Sequence, residues 1–283
     1  MPLTPQDIVV TTDWLDQHRS DPDLRILDGT WHLPTQNRDA VAEYASAHIP
    51  GAQFFDIDGI ADRSIPLPHM VPSVEQFQEQ VSALGIGNDA AVVVYDNSTM
   101  LSSARVWWLL RAMGLTRVAV LDGGLPKWLA EGREVASGVS VAKPATLTAM
   151  LDADRVKDKD QVLAATSDPN IQIVDARPEP RFRGEAPEPR AGLRSGHIPG
   201  SFSVFYRKLM NDDGTLKSDD QLRAAFESAG VDLERPIITT CGSGVTASVL
   251  YLALEKIGHD NLSLYDGSWA EWGQNDDLPL QTG

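Results

Sequence analysis

The sequence contains almost no cysteine: Cys241 is the only thiol in 283 residues. A single thiol excludes an intramolecular disulfide and any zinc site built from several cysteines. The spacing of the six histidines does not suggest a metal site either, so we expect neither a metal nor another cofactor. Any cysteine chemistry of this chain must therefore take place at Cys241.

Positive charge is scarce as well. The chain has 24 lysines and arginines against 40 aspartates and glutamates, which gives a net charge of −16. This balance argues against nucleic acid and anionic membrane surfaces, because both attract cationic proteins. No apolar run approaches the ~18 residues that a membrane span needs, and no signal-peptide pattern is visible. We therefore expect a cytoplasmic protein without nucleic-acid or membrane partners.

Cys241 opens a loop that contains two glycines, Cys-Gly-Ser-Gly-Val-Thr-Ala. The apolar stretch Pro236–Thr240 before it predicts a buried strand, and Ala247–Ile257 after it predicts a helix. Amide groups converge at a helix N-terminus, and the helix dipole there favours negative charge. Most lone cysteines are small buried apolar residues, but this strand–loop–helix setting favours a nucleophilic thiolate.

The chain repeats itself, with corresponding elements in the same order in both halves. Four pairs of segments match, and Trp128 matches Trp272. The pairs are Leu24–Asp28 with Ile171–Asp175, His48–Ala52 with His197–Ser201, Ala91–Asp96 with Pro236–Cys241, and Leu121–Gly124 with Tyr265–Ser268.

Each copy alternates short apolar strands with helical patterns, which predicts an α/β fold with a central parallel sheet flanked by helices. In the first copy the pattern predicts strands at Val92–Tyr95 and Val118–Leu121 and helical segments at Ser102–Met113 and Pro126–Glu131. We expect domains at 1–134 and 150–283, joined by a linker over 135–149.

The two copies differ at the candidate nucleophile. The first copy has Asp96 where the second has Cys241, and its loop is longer and contains no glycine. Such a loop does not readily form the same cradle of amides. We therefore expect the first domain to be a non-catalytic copy that supports the site in the second.

Together, the repeat, the His-Ile-Pro-Gly elements, the Asp-Gly-Gly turn and the cysteine loop resemble the two-domain rhodanese (sulfurtransferase) family. The loop CGSGVTA resembles its 3-mercaptopyruvate sulfurtransferase branch, whereas the thiosulfate branch typically carries CRKGVTA. The resemblance implies two tandem rhodanese-like domains. It also implies transfer of sulfur from 3-mercaptopyruvate to a thiol, thioredoxin or cyanide acceptor, with release of pyruvate.

The resemblance also implies roles for individual residues. Cys241 is the expected persulfide carrier, and Asp58, His69 and Ser243 match the family's relay of acid, histidine and serine. This relay could act on the substrate thiol or on Cys241. The expected substrate-binding residues are Arg181, Arg190, Gly242, Gly244, Val245 and Thr246.

Arginine suits this substrate because its planar, paired donors match a carboxylate. Arg181 and Arg190 lie in a segment with three further arginines, Arg177, Arg183 and Arg194. Glycine and proline in the segment predict a surface loop, where binding residues are common. A local positive patch is therefore expected in an otherwise acidic chain.

Three alternatives remain. The nearest is a thiosulfate:cyanide sulfurtransferase, and a second is a non-catalytic sulfur-carrier module. The third, a cysteine phosphatase, also places its nucleophile on a strand–loop–helix cradle but needs an arginine six residues after the cysteine. Ala247 occupies that position, which argues strongly against a phosphatase.

Overall fold

A computed structural model describes residues 1–98 and 100–283, and the chain forms two compact units. Unit 1 consists of 1–61, 72–152 and 212–215, and unit 2 of 62–71, 153–211 and 216–283. Unit 2 therefore includes a ten-residue segment, 62–71, that belongs to the first sequence repeat. Among the described residues, no helix has both the length and the apolar character needed to cross a membrane.

Over the described residues, each unit contains a five-stranded sheet in which all strands are parallel. The strand order is β1-β5-β4-β2-β3 in unit 1 and β6-β10-β9-β7-β8 in unit 2. The same order in both units confirms the predicted duplication and fold class. The strands are β1 Val9–Val10, β2 Leu24–Asp28, β3 Gln53–Phe54, β4 Ala91–Tyr95, β5 Val118–Leu121, β6 Val156–Lys157, β7 Gln172–Asp175, β8 Phe202–Ser203, β9 Ile237–Thr240 and β10 Leu262–Tyr265.

The helices flank these sheets, because parallel strands need crossover connections over the sheet faces. Short 3₁₀ turns cover Pro34–Gln36, Ala153–Arg155 and Tyr206–Leu209. The α-helices are α1 Thr12–His18, α2 Ala40–Ser46, α3 Val74–Ala83, α4 Ser103–Ala112, α5 Gly124–Ala130, α6 Lys159–Ala165, α7 Glu179–Phe182, α8 Asp219–Glu227, α9 Ala247–Lys256 and α10 Ser268–Trp272.

The central strand and the helix after it form the core of each unit. Every residue of β4 and β9 is buried, as is expected for strands that are covered on both faces. Helix α4 and helix α9 are buried around most of their circumference, which explains why their sequences are apolar on nearly every side. The elements predicted around Cys241 are therefore present, with ends that differ from the prediction by one residue.

The strand order of unit 2 also indicates where a ligand site is expected. In unit 2 the chain runs from β7 outwards to β8 and then crosses to β9, on the other side of β7. Ligands of open parallel sheets bind beyond the carboxyl ends of strands at such a reversal. Asp175 ends β7 beside Thr240, the last residue of β9, and Cys241 comes next.

The expected linker, 135–149, lies in unit 1. Its backbone amides at Ala145, Thr148 and Ala149 donate to groups of Ser82, Asn88 and Gln78. Because these bonds tie it along α3 and the loop after it, the segment is ordered although it contains neither a helix nor a named strand.

Candidate active site

Cys241 is fixed at the end of β9 by the start of α10. The residue is 2% exposed. Its amide N–H donates to Ser268 Oγ at 3.4 Å, and its carbonyl accepts from the Trp269 amide at 2.9 Å. The Gly242 carbonyl likewise accepts from the Ala270 amide at 2.9 Å. Since N–H and C=O point in opposite directions across a trans peptide, the amides of Gly242 and Ser243 point away from α10.

The loop after Cys241 presents a row of unused amides. Among the described residues, none accepts a hydrogen bond from the backbone N–H groups of 242–247. Gly244 has φ +81°, a value that favours glycine, and Thr246, the residue before α9, makes no side-chain cap. The buried Val245 side chain packs inward, at 2% exposure. These amides, together with the N-terminus of α9, form a cradle for an anion or an anionic sulfur.

In the corresponding loop of unit 1, side chains of the loop itself accept hydrogen bonds from its backbone amides. Asp96 Oδ1 accepts from the Ser98 amide at 2.7 Å, and Oδ2 accepts from the Ser103 amide at 2.9 Å. Ser98 Oγ accepts from the amides of Met100 and Ser102. Thr99 lies outside the described residues. The carboxylate at the nucleophile position thus takes the amides that an anion would need.

His69 lies beside the cysteine loop because segment 62–71, which we call the strap, packs within unit 2. The Asp62 amide donates to the Met70 carbonyl at 2.9 Å and closes the strap into a loop. The Val71 amide donates to Asp266 Oδ2 at 2.7 Å, at the end of β10. His69 itself has φ +62°, a backbone region that is uncommon for residues other than glycine.

The His69 ring contacts Ser243 twice. Its Nδ1 lies 3.1 Å from the Ser243 carbonyl oxygen and 3.1 Å from Ser243 Oγ, and the ring is 4% exposed. A carbonyl oxygen only accepts, so the first contact requires the hydrogen on Nδ1. With that tautomer, His69 donates to the cysteine loop through Nδ1.

Asp58, the third expected member of the relay, belongs to unit 1. There its Oδ2 accepts a hydrogen bond from Trp31 Nε1 at 2.9 Å. The geometry of unit 2 therefore brings together Cys241, Ser243 and His69, and the role of Asp58 stays a prediction.

Arg181 and Arg190 both reach the residue after the nucleophile. A Cβ placed on Gly242 would lie 3.2 Å from Arg181 Nη2 and 4.0 Å from Arg190 Nη1. Arg181 is on α7, which follows β7, so the strand reversal brings α7 to the cysteine loop. The glycine leaves room for two guanidinium groups at a position where most side chains would displace them.

The other three arginines of this segment have structural contacts. Arg183, the residue after α7, forms an exposed ion pair with Glu179, the first residue of that helix. Arg194 donates to backbone carbonyls, among them those of Trp272 and Leu278. Arg177 is buried against Asp175. The structure thus separates Arg181 and Arg190 from their neighbours, which composition alone did not.

Three residues of the site whose side chains are buried were not predicted. Glu188 binds Arg181, Asp266 anchors the strap, and Ser268 accepts from the Cys241 amide. The repeat contained one signal for Ser268, because Gly124 stands at the matching position of the first copy. Gly124 has φ +55° and Ser268 keeps φ +49° although it carries a side chain. Ser268 therefore keeps an uncommon backbone conformation and places its hydroxyl at the amide of the nucleophile, Cys241.

Comparisons with known proteins agree with this arrangement. The family described as "Rhodanese-like domain" matches residues 11–131 and 158–275. "Thiosulfate/3-mercaptopyruvate sulfurtransferase 1, mitochondrial" of Arabidopsis thaliana is 43% identical over 97% of this chain and 78% of its own length. "3-mercaptopyruvate sulfurtransferase" of Escherichia coli strain K12 is 42% identical over 96% of this chain and 97% of its own.

A solved structure is similar over the same range. The crystal structure of a 3-mercaptopyruvate sulfurtransferase from Escherichia coli superposes with a TM-score of 0.86 at 40% identity, covering 93% of this chain and 99% of that one. Each of the two matched regions contains four of the five strands of one parallel sheet. The duplicated sheet, the cysteine loop and these likenesses show that the chain belongs to the family of proteins with rhodanese-like domains.

Proposed function

We propose that this protein is an enzyme that transfers sulfur from 3-mercaptopyruvate through a persulfide on Cys241. The observation that carries the proposal is the row of unused amides at 242–247 behind a buried cysteine. The relatives named for this activity, at about 40% identity over most of the chain, support it.

The reaction begins at sulfur. The Cys241 thiolate attacks the sulfur of the donor, so that an S–S bond forms and the donor's C–S bond breaks. The electron pair of that bond leaves with the carbon as pyruvate enolate, which takes up a proton to give pyruvate. The amides of the loop hold the outer sulfur of the persulfide, and the α9 N-terminus stabilises its negative charge.

Recognition of the donor falls to the two arginines beside Gly242. Their N–H groups suit the carboxylate and the neighbouring carbonyl of a 2-oxo acid. A donor held there has its sulfur directed at the adjacent Cys241. Arg190→Ala should therefore raise KM for mercaptopyruvate more than KM for thiosulfate. The opposite order would assign the arginines to thiosulfate.

Ser243 and His69, with Asp58, form the proposed proton relay. It acts either on the donor thiol or on Cys241, and alkylation kinetics distinguish the two. If Ser243→Ala slows both iodoacetamide labelling and sulfur transfer, the relay acts on Cys241. If labelling keeps its rate while transfer slows, the relay acts on the donor thiol.

Release of sulfur needs an external acceptor. Cys241 is the only cysteine, so no second thiol of the chain can resolve the persulfide. A small thiol, thioredoxin or cyanide attacks the outer sulfur and leaves Cys241 as the thiolate again. The cytoplasmic location expected from the sequence stays a prediction, and the name of one relative places that relative in mitochondria.

The competing donor is thiosulfate, which the name of the Arabidopsis relative includes. Thiosulfate is a compact dianion that is best held by cations next to the cysteine, whereas Gly242 and Ser243 are neutral. Assays with both donors, using cyanide as the acceptor, should give a kcat/KM for mercaptopyruvate at least ~100-fold higher than that for thiosulfate. This ratio is equivalent to about 2.7 kcal/mol of differential transition-state binding. Equal use of the two donors would contradict the proposed substrate.

Cys241→Ser tests the covalent step. The variant should fold normally and lose sulfur transfer, because an oxygen in this position forms no persulfide. After donor is added, mass spectrometry should find one extra sulfur, ~32 Da, on the wild type only. Turnover by Cys241→Ser at the wild-type rate would refute the mechanism, and a wild type without bound sulfur would favour a non-covalent reaction.

A further inference from the structure

We infer that Glu188 is a positioning residue that fixes Arg181 at the cysteine loop and limits the positive charge there, so that the site favours a monoanionic 2-oxo acid over a dianion. The inference rests on the proposed function. It concerns a buried carboxylate that has no part in the sulfur chemistry itself.

Glu188 joins two arginines. Its side chain is 2% exposed. Oε1 accepts from Arg177 Nη1 at 2.9 Å and from Arg181 Nε at 3.2 Å, and Oε2 forms a short ion pair with Arg181 Nη2. Both carboxylate oxygens are therefore committed to guanidinium groups, which is the arrangement that makes burial of a charge tolerable.

Arg177 provides the fixed end of this chain of contacts. It binds Asp175 through Nε and Nη2, donates from Nη2 to the Gly196 carbonyl at 2.8 Å, and stacks on Trp269 with its Cζ 4.2 Å from the ring centre. Burial alone would disfavour its charge, but Asp175 and Glu188 outweigh burial and raise the pKa of Arg177 above its ordinary value. Arg177 thus stays charged and holds Glu188 in place.

Arg181 is the movable end. Its side chain is 19% exposed, and the Nη2 that binds Glu188 is also the atom nearest to the Cβ position of Gly242. Without Glu188, a flexible arginine at the surface would sample other rotamers, and binding a donor would have to order it. Glu188 removes that cost before the donor arrives.

Glu188 also changes the charge that the donor meets. Its carboxylate lies beside Arg181 and lowers by one the positive charge that a donor meets there. A second negative charge on the donor would lie near Glu188 and be repelled by it.

The test is Glu188→Gln, which keeps the shape and removes the charge. Its amide nitrogen would face one of the two guanidiniums, so Arg181 is released and the local charge rises by one. We expect KM for mercaptopyruvate to rise about tenfold with kcat changed less than about threefold, and the preference for mercaptopyruvate over thiosulfate to fall about tenfold. The preference is a ratio and does not depend on the fraction of folded enzyme.

Glu179→Gln is the matched control, since it removes the same charge from an exposed pair on the same segment. It should leave both KM and the preference within about twofold of the wild type. Glu188→Asp keeps the charge but is one methylene shorter, so it should retain the preference better than Glu188→Gln while KM for mercaptopyruvate still rises.

The outcomes separate this inference from the proposed function. If the wild type does not prefer mercaptopyruvate, the proposed function fails whatever the variants do. If the wild type prefers it and Glu188→Gln keeps the same KM and preference, Glu188 only supports the fold and the inference is wrong. Should Glu188→Gln not fold, a wild-type KM in Glu188→Asp would overturn the inference by itself.

Discussion

Gly242→Ala is the smallest change that probes the contact between the cysteine loop and Arg181. The added methyl would lie 3.2 Å from Arg181 Nη2, whereas ordinary contacts between such atoms are about 3.5–4.0 Å. The guanidinium must therefore move by a few tenths of an ångström. Because Glu188 holds the same Nη2, that movement strains the ion pair or withdraws the arginine from the donor.

The size of the effect follows from the contact that is disturbed. A hydrogen bond to a charged group contributes about 1.5–3 kcal/mol, and losing half of it changes binding by about three- to tenfold. We expect KM for mercaptopyruvate to rise by that factor with kcat nearly unchanged. Gly242 has no positive φ, so alanine should fold well and leave the melting temperature unchanged or slightly higher.

Steady-state kinetics with both donors and thermal unfolding are the assays, and Gly244→Ala is the control. Gly244 has φ +81°, so alanine there should lower the melting temperature and reduce activity with both donors. An unchanged KM in Gly242→Ala would refute the placement of Arg181 at the donor. An equal loss of kcat with both donors would mean that the methyl distorts the loop instead.

Three further predictions concern other parts of the chain. Asp96→Ala should cost about 1 kcal/mol of stability, because the loop amides lose the carboxylate that accepts from them, yet it should leave kcat nearly unchanged. A fall in kcat of more than about tenfold in a folded variant would make unit 1 catalytic. Ser268→Ala and Ser268→Gly both remove the acceptor for the Cys241 amide, so kcat should fall about fivefold in each. Only glycine relieves the positive φ, so only Ser268→Gly should preserve or raise the melting temperature. Full activity of either variant would rule out a role of the Ser268 hydroxyl in positioning Cys241. Burial raises the pKa of Asp28 to about 6, so the folded state favours the protonated carboxyl and loses stability as the pH rises through about 6. Asp28→Asn should therefore raise the free energy of unfolding by about 1–3 kcal/mol at pH 7.5 and by less at pH 5. An equal gain at both pH values would contradict the raised pKa.

Much of the fold could be predicted because its signals are local. The apolar runs that become β4 and β9 are buried on both faces, so they stand out without any knowledge of their partners. The internal repeat predicts two sheets, since each copy carries the same elements in the same order. Replacement of the nucleophile by Asp96 was equally visible, and the structure adds that its carboxylate takes up the loop amides.

The sequence by itself determined the nucleophile, its strand–loop–helix setting and the parallel sheets, because each depends on residues adjacent along the chain. The family resemblance singled out Arg181 and Arg190 among five neighbouring arginines, but only the tertiary structure showed that both lie at Gly242, because the partners of the other three lie elsewhere in the fold. It alone placed the strap in unit 2 and brought His69 to Ser243, 174 residues away. It alone revealed Glu188, because a carboxylate between two prolines looks like any surface acid until the chain folds and buries it between two guanidinium groups.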